Sequence, residues 1–513
     1  MTTSRQVVKN AFGSYAGQLT SVAVGVLLTP ILVHSLGDMQ YGIWRLAGSL
    51  LAYIGLLELG FATAVAKYTA QYQVTGEADK ANRVVSTLFF LHVAVAMIAL
   101  LVLLLCAPLF PSAFSIPMSQ ASAAEVVLVI AGMDFALMLA GGVFNAVLVG
   151  YQRIDVTNWL SMLWLGVKFV LILVALDMGY GLVAVASIGA ATTLLLALSR
   201  AYTIRRLNRG FKISPALLNV QVLKDGIFRY SALIFALEVT RLALFNIGNI
   251  VVGRFVGVES VTPYDIAGKI GNFILMLTFP LMVVLFPRFA EFEARRDAES
   301  SRRTFVSGTK FSIALVVPFS VFIIVMRDQI ISMWVGTEFV SRTSTIVAVL
   351  VVFYLCYGVF RPAHALLVGT GRLKLYVIAS FALVLVSVAL SITLVPSYGA
   401  VGVALGNTIP IAVVYIGLLL PYVCRMVRLP LLSLGRTCLL PALAVATPLG
   451  AALLVLSKHA RIGNLLALGV LFVLYTTIYG SVYIAAFSSL EQRLRYAGWL
   501  RAVCHRAQTL AQG

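Results

Sequence analysis

The amino-acid sequence predicts an all-α polytopic membrane protein with about 14 transmembrane helices. Three observations lead to this fold class: the composition, the spacing of apolar windows, and the alternation of basic residues between them. Apolar residues make up 61% of the 513 residues and charged residues 11%, against roughly 45–50% and about 25% in soluble domains. The mean hydropathy is +0.99. A chain of this composition places most of its length in lipid.

Apolar windows recur along the whole chain at the length of about 20 residues that a helix needs to cross a bilayer. Lipid offers backbone groups no hydrogen-bond partners, so each window is predicted to be helical. The first window lacks a small-residue cleavage site, and we expect a retained helix there. The windows lie at 14–33, 43–67, 84–106, 124–149, 157–177, 180–200, 229–253, 264–288, 305–326, 343–367, 375–395, 399–424, 434–457 and 462–487.

The basic residues alternate between the connecting segments. One set of segments, which includes both termini, holds 27 of the 38 Lys and Arg residues, whereas the opposite set holds five. Cations concentrate in cytoplasmic loops of membrane proteins, so both termini are predicted to be cytoplasmic. The net charge of +19 is thereby explained by topology, and no nucleic-acid partner is expected.

An internal repeat relates the two halves of the chain. FNAVLVGYQRIDV from Phe144 aligns with AHALLVGTGRLKL from Ala363, and GYGLVAVASIG from Gly179 aligns with SYGAVGVALGN from Ser397. A weaker echo joins the segments that begin at Ile31 and Ile250. The repeat predicts an N-terminal six-helix lobe over 1–210, a second over 211–425, and two additional helices with a basic tail over 426–513. Transporters built from such parallel repeats bind substrate between the halves and alternate its access.

Ten charged residues fall at membrane depth, where each costs a few kcal/mol unless it is shielded. Arg45 and Lys310 lie near the ends of spans, and we expect both to extend toward the interface. The ten are Arg45, Lys168, Arg241, Lys269, Lys310, Arg361, Glu58, Asp134, Glu238 and Asp265.

Helical spacing places several polar residues on shared faces. Glu238, Arg241 and Asn249 lie on one face of span 7, and Asp265 and Lys269 on one face of span 8. Two structural alternatives to substrate contact stay open. In one, the charged residues form local pairs that neutralise each other. In the other, Asn249 forms a hydrogen bond to a neighbouring helix.

On span 10, Tyr357, Arg361 and His364 share a face. No acid lies within one turn of Arg361, and guanidinium makes bidentate bonds to phosphate oxygens. Arg361 is therefore the strongest candidate for contact with an anion. The tyrosine suits stacking on a sugar ring, although aromatic residues in lipid spans more often pack.

The sequence lacks the common signatures of catalysis and nucleotide binding. It contains no G-x-x-x-x-G-K-[ST], H-E-x-x-H or G-x-S-x-G motif, and its five cysteines lack metal-ligand spacing. No catalytic residue, metal site or cofactor is predicted, and we expect a protein that is not an enzyme.

The opening of the chain resembles the multidrug/oligosaccharidyl-lipid/polysaccharide exporter superfamily, and within it the polysaccharide transporter branch of O-antigen-type flippases. The resemblance rests on Tyr41-Gly42-Ile43-Trp44, Leu56-Leu57-Glu58-Leu59-Gly60, Lys67 and the block from Leu148 to Arg153. Glu58 and Lys67 stand where the branch more often has Asp and Arg, so charge is kept while reach changes.

The resemblance implies a flippase that moves an undecaprenyl-pyrophosphate-linked oligosaccharide to the periplasmic face of the bacterial inner membrane. It also implies H⁺ or Na⁺ as coupling ion, and a polysaccharide polymerase and chain-length machinery as partners. On this basis we assign headgroup binding to Arg361, His364, Arg241, Lys269, Tyr357 and Asn249. The candidates for ion coupling are Glu58, Glu238, Asp265 and Asp134.

Three alternative functions stay open. A cation-coupled drug exporter would have twelve spans and an acid-dominated cavity, and the surplus of cations argues against it. A peptidoglycan-precursor flippase also has fourteen spans. A polysaccharide polymerase or ligase would carry a large catalytic loop, which the sequence lacks.

Overall fold

The computed structural model describes residues 4–55, 61–219, 228–459 and 463–487, and every regular element in these ranges is helical. The helices are α1 (Ser4–Ile54), α2 (Phe61–Thr75), α3 (Ala78–Cys106), α4 (Phe110–Ala113), α5 (Met118–Gly150), α6 (Ile154–Asp177), α7 (Leu182–Leu207), α8 (Phe228–Phe255), α9 (Val261–Ala294), α10 (Ala298–Trp334), α11 (Val340–Gly369), α12 (Lys374–Ile411), α13 (Leu420–Met426), α14 (Leu431–Leu434), α15 (Leu440–His459) and α16 (Leu465–Phe487).

Twelve helical stretches in the described ranges are long and apolar enough to cross a membrane. Two of them contain a glycine whose backbone is not helical: Gly37 in α1, with φ 72°, and Gly399 in α12, with φ 54°. Glycine adopts positive φ without steric cost, so each of these stretches is two helices joined end to end. Counted in this way, the described stretches give fourteen helices for fourteen predicted spans; residues 56–60 of the predicted span 43–67 lie outside the described residues. The all-α, multi-pass class is confirmed.

The chain divides into two compact units. The first comprises residues 1–265 together with 380–406. Within it, α5 packs against α7, α3 and α2, while α1 packs against α6 and α8. Ten buried apolar residues form a core at the end of this bundle where α5 finishes: Val65, Val84, Val85, Leu88, Val143, Ala146, Val147, Leu148, Ile204 and Phe211.

The segment after α7 is tied to α3 by side-chain hydrogen bonds. Asn82 donates to the carbonyl of Gly210 at 2.8 Å and accepts from the amide of Lys212 at 3.2 Å. The hydroxyl of Thr87 accepts from the amide of Asn219 at 2.9 Å. Residues 210–219 are therefore held against α3.

The second unit comprises residues 266–379 and 407–513. Its central helix is α10, which packs against α11, α15 and α16. Ser312 of α10 donates to the carbonyl of Gly358 on α11 at 2.8 Å. The two helices beyond the repeat pack on α10 through a cluster of buried residues: Phe322, Met326, Leu453, Leu468 and Tyr475.

The repeat is visible in the backbone. α5 ends at Gly150 and α11 at Gly369, and each ending is closed by the same pattern of amide-to-carbonyl bonds, a common C-terminal cap. Each glycine also lies against another helix, so a side chain there would clash. Tyr151 follows the first cap, and burial raises the pKa of its hydroxyl, which accepts a hydrogen bond from Asn208.

We predict that Gly150→Ala destabilises the protein while Gly142→Ala on the same helix does not. A Cβ at Gly150 would lie 2.7 Å from Cβ of Thr69 and 2.9 Å from the carbonyl oxygen of Ala66, whereas nothing lies within 4 Å of one at Gly142. Alanine otherwise favours a helix by about 1 kcal/mol over glycine. Thermal unfolding in detergent should show a lower midpoint for the first variant alone, and equal midpoints would contradict the close packing.

Candidate functional site

A buried carboxylate is the centre of a polar network in the first unit. Asp265, in the first turns of α9, is 5% exposed and accepts hydrogen bonds from Nε and Nη2 of Arg45, both at 2.6 Å. Its second oxygen accepts from the hydroxyl of Tyr41 at 2.8 Å. The guanidinium and phenol of α1 thus hold a carboxylate that lies more than 200 residues away in sequence.

Small residues allow this approach. A Cβ at Gly42 would overlap the carbonyl of Val258, and one at Gly253 would overlap the side chain of Leu46. At Gly42 the clash is with a backbone atom, so this position requires glycine, whereas at Gly253 the Leu46 side chain would have to shift.

Two further hydrogen bonds lie beside the network. Thr262 donates to the carbonyl of Asp38 at 2.9 Å, and Asn249 donates to the hydroxyl of Ser49 at 3.1 Å. The predicted interhelical role of Asn249 is therefore observed, but its buried Oδ1 finds no partner in the described part of the chain.

The sequence interpretation of Arg45 is wrong. A cation near a span end was expected to extend toward the interface, yet its side chain is 33% exposed and is committed to Asp265. Its acid lies on a helix of the other repeat, so no local spacing rule reveals the pair. Lys310 is half-buried and donates to the carbonyl of Phe487 at 2.8 Å.

The network joins equivalent stretches of the two repeats. Tyr41-Gly42-Ile43 aligns with Tyr264-Asp265-Ile266 once the insertion in the second copy is allowed for. In the alignment of the two repeats, Asp265 therefore corresponds to Gly42. One copy supplies the carboxylate and the other supplies its cation. Lys269, one turn further along α9, is half-buried.

Glu238 and Arg241 form the local pair that their spacing allows. The two side chains are about half exposed, at 50% and 47%, and Arg241 donates to Glu238 at 2.7 Å. Each charge is largely neutralised on its own helix.

The second unit contains the clearest cation within the membrane. Arg361 on α11 is half-buried and donates from Nε to the hydroxyl of Thr278 at 3.3 Å. Its guanidinium carbon lies 5.7 Å from the centre of the Tyr357 ring. In the described ranges no carboxylate forms an ion pair with it, so its charge is balanced only by a hydroxyl dipole and an aromatic face.

Aromatic rings support this arginine. The ring centres of Tyr357 and Tyr415 are 5.7 Å apart, and those of Phe360 and Tyr415 are 4.4 Å apart. His364 shares a hydrogen bond of 2.7 Å with the hydroxyl of Tyr376. The sequence identified Arg361, His364 and Tyr357, but not Tyr376 or Tyr415, because those two belong to other helices.

Asp134 and Lys168 lie together in the first unit. A Cβ at Gly189 on α7 would be 3.4 Å from Nζ of Lys168 and 3.5 Å from Oδ2 of Asp134. Oδ1 of Asp134 is buried without a hydrogen-bond partner in the described ranges. The sequence identified both charges at membrane depth but could not place them beside one glycine. Glu58, the remaining candidate for ion coupling, lies outside the described residues.

Two protein-family patterns match this chain. The sequence pattern of the family described as "Polysaccharide biosynthesis protein" matches residues 7–293, and that of the MatE family matches residues 234–393. A search of curated proteins found no match.

Several solved structures share the fold. An inward-facing multidrug resistance MATE family transporter of the MOP superfamily is 16% identical, covers 82% of this chain and 96% of its own, and has a TM-score of 0.67. The lipid II flippase MurJ, in an inward closed conformation, is 13% identical, with coverage of 93% and 99% and a TM-score of 0.69. A MOP superfamily transporter from Pyrococcus furiosus is 17% identical, with coverage of 82% and 95% and a TM-score of 0.57.

The two family patterns and the shared fold agree on a polytopic membrane protein of the MOP superfamily. Because the first family pattern covers more than half of it, the chain belongs to the polysaccharide biosynthesis protein family. The resemblance seen in the opening sequence is confirmed.

We predict that Asp265→Asn lowers the thermal unfolding midpoint much more than Glu238→Gln does. Removing one partner of a buried ion pair costs roughly 3–5 kcal/mol, and the lower end applies here because Arg45 is 33% exposed. An exposed pair is worth about 0–1 kcal/mol. If the two variants lose the same stability, the Asp265 network is not a structural constraint. In the double variant Arg45→Leu/Asp265→Leu, part of the loss should be recovered.

Proposed function

We propose that this protein is a flippase that translocates a polyprenyl-pyrophosphate-linked oligosaccharide across the bacterial inner membrane by alternating access, for surface polysaccharide biosynthesis. The observation that carries the proposal is Arg361, a guanidinium inside a membrane helix that has no carboxylate counter-ion in the described part of the chain. A substrate that crosses the bilayer beside it should bring negative charge.

The pyrophosphate of a lipid-linked sugar suits Arg361 chemically. Guanidinium presents a planar fork of donors that matches two phosphate oxygens. Nε donates to Thr278, which orients the plane, while the ring of Tyr357 supports one side. A phosphate can bind through the remaining donors without displacing an internal acid.

The aromatic residues around Arg361 suit the sugar attached to the pyrophosphate. Tyrosine rings offer flat apolar faces with a polar hydroxyl at one end. In this structure Tyr357 and Tyr415 are buried and pack against each other, so stacking of a sugar on Tyr357 requires Tyr415 to move away. His364 adds a polar ring beside Tyr376. We assign headgroup contact to Arg361, Tyr357 and His364, with Lys269 on α9 as a further cation.

The two other predicted headgroup residues carry less of the proposal. Arg241 is already neutralised by Glu238, and Asn249 is committed to Ser49. Either residue could bind substrate only by exchanging its present partner.

Transport against a gradient needs a group that takes up and releases a coupling ion, and we propose Asp134 for this role in the first unit. Its buried Oδ1 has no partner among the described residues, and the ammonium of Lys168 lies near the same glycine. A buried carboxylate oxygen without a partner is open to a coupling ion. Glu58 is retained as a second candidate on sequence grounds, whereas Asp265 is already bonded to Arg45 and Tyr41.

The distribution of basic segments implies that both termini are cytoplasmic and that loading occurs on that side. Polymerase and chain-length machinery at the periplasmic side would be the partners that consume the product.

We predict that Arg361→Ala abolishes surface-glycan export in cells while the protein remains in the membrane. Arg361→Lys should restore part of it, because an ammonium keeps the charge but not the bidentate geometry. Arg327→Ala is the control, since that half-buried arginine on α10 already contacts Asp328 and Ser344. Glycan at the surface, quantified by immunoblot beside membrane-fraction protein, gives the readout. Normal glycan in the alanine variant rejects the headgroup assignment.

We also predict that Asp134→Asn uncouples transport from the ion gradient. The amide cannot release a proton, so the rate should no longer rise when a pH gradient is imposed on vesicles. Asp155→Asn is the matched control, because Asp155 pairs with Arg153 at the start of α6. If the variant keeps the pH-dependence of wild type, Asp134 does not bind the coupling ion. Drug resistance conferred by the wild-type protein would instead favour a drug exporter.

A further inference from the structure

A second arginine inside the membrane lies on the surface of the first unit, where α6 and α7 pack together. Arg200 is two turns before the end of α7, and Ser161 is two turns after the start of α6. Nη2 of Arg200 donates to the hydroxyl of Ser161 at 2.8 Å. Next to this bond, Nε1 of Trp164 donates to the hydroxyl of Ser199 at 3.0 Å. The two helices are therefore joined by a pair of polar contacts.

The hydrogen bonding of Arg200 is incomplete. Its Nε is buried and finds no partner among the described residues. No carboxylate in those ranges forms an ion pair with Arg200, so a serine hydroxyl alone faces a full positive charge. A charged guanidinium at membrane depth costs a few kcal/mol unless an anion or water shields it. The site as built is suited to an anion.

Aromatic residues show at which depth the site lies. Trp159 on α6 and Tyr202 on α7 are 60% and 59% exposed. Exposed Trp and Tyr concentrate at the boundary between hydrocarbon and headgroups. Arg200 is two residues from Tyr202, a rise of about 3 Å along the helix, so its guanidinium reaches the level of lipid phosphates.

The surroundings of Arg200 are open to the bilayer rather than to water. Leu163 on α6 and Leu198 on α7 are 58% and 55% exposed. Such side chains suit contact with acyl chains. A phosphate that approaches Arg200 between them should therefore belong to a lipid.

We propose that Arg200, oriented by Ser161, binds the phosphate of an anionic phospholipid from the leaflet that the basic segments face. Basic pockets between transmembrane helices on that side bind acidic lipid headgroups in other proteins. The lipid phosphate accepts from Nη1 of Arg200, which is neither buried nor bonded within the described residues, while Nη2 stays on Ser161 and the acyl chains lie along the exposed leucines. The bound lipid supports the contact of α6 with α7 and is distinct from the transported substrate.

Native mass spectrometry of the purified full-length protein tests this site, with phosphatidylglycerol or phosphatidylcholine added in detergent. Phosphatidylglycerol should remain bound at low ratios and phosphatidylcholine should not. Arg200→Gln should weaken binding of phosphatidylglycerol about tenfold. The matched control is Arg153→Gln, which removes the same charge at the start of α6 from an arginine already paired with Asp155. Arg153→Gln should change the affinity less than twofold.

Arg200→Lys controls for a folding defect in the glutamine variant. It keeps the charge, so it should bind the lipid only a few-fold more weakly than wild type. Equal losses in Arg200→Gln and Arg153→Gln would show diffuse attraction and overturn the site. Wild-type affinity in Arg200→Gln, equal binding of phosphatidylcholine, or displacement of the lipid by millimolar inorganic phosphate would each overturn it as well.

Discussion

The fold of the first unit depends on one buried ion pair. Asp265 would be costly in the membrane without counter-charge; Arg45 supplies that charge at 2.6 Å, and Tyr41 adds a hydrogen bond at 2.8 Å. Those bonds require α1 to meet the start of α9, and glycine at position 42 allows α1 to approach the carbonyl of Val258 just before it. Because the pair joins matching stretches of the two repeats, it ties the duplicated halves of the sequence together at one position.

Much of the fold was predictable because membrane helices are specified locally. Hydropathy alone located the spans, since each must hide its own backbone bonds. The repeat predicted that Gly150 and Gly369 end corresponding helices, and the two caps match. The sequence also predicted span boundaries near Gly37 and Gly399. It did not predict that the helices on either side of each glycine join end to end. The lobes 1–210 and 211–425 stay a prediction of how the repeat divides the chain; the compact units divide it at other residues.

The candidate site was predictable only in part, because charge pairing is decided in three dimensions. Arg361 stood out since no acid lay near it in sequence, and the structure also gives it none among the described residues. Arg45 was misjudged because its acid lies more than 200 residues away. Arg200 is the last residue of the predicted window 180–200 and was not singled out, whereas α7 continues to Leu207. The role of a basic residue near the end of a span can therefore be assigned only from the tertiary structure.

The central claim is that this family member moves an anionic, lipid-linked glycan past Arg361. The most direct measurement uses vesicles that contain the purified protein and a polyprenyl-pyrophosphate oligosaccharide with a fluorescent sugar, quenched from outside by a membrane-impermeant reagent. We expect faster loss of the protected fluorescence with wild type than in protein-free vesicles, and no acceleration with Arg361→Ala. Equal rates for wild type and protein-free vesicles, or for wild type and Arg361→Ala, would contradict it.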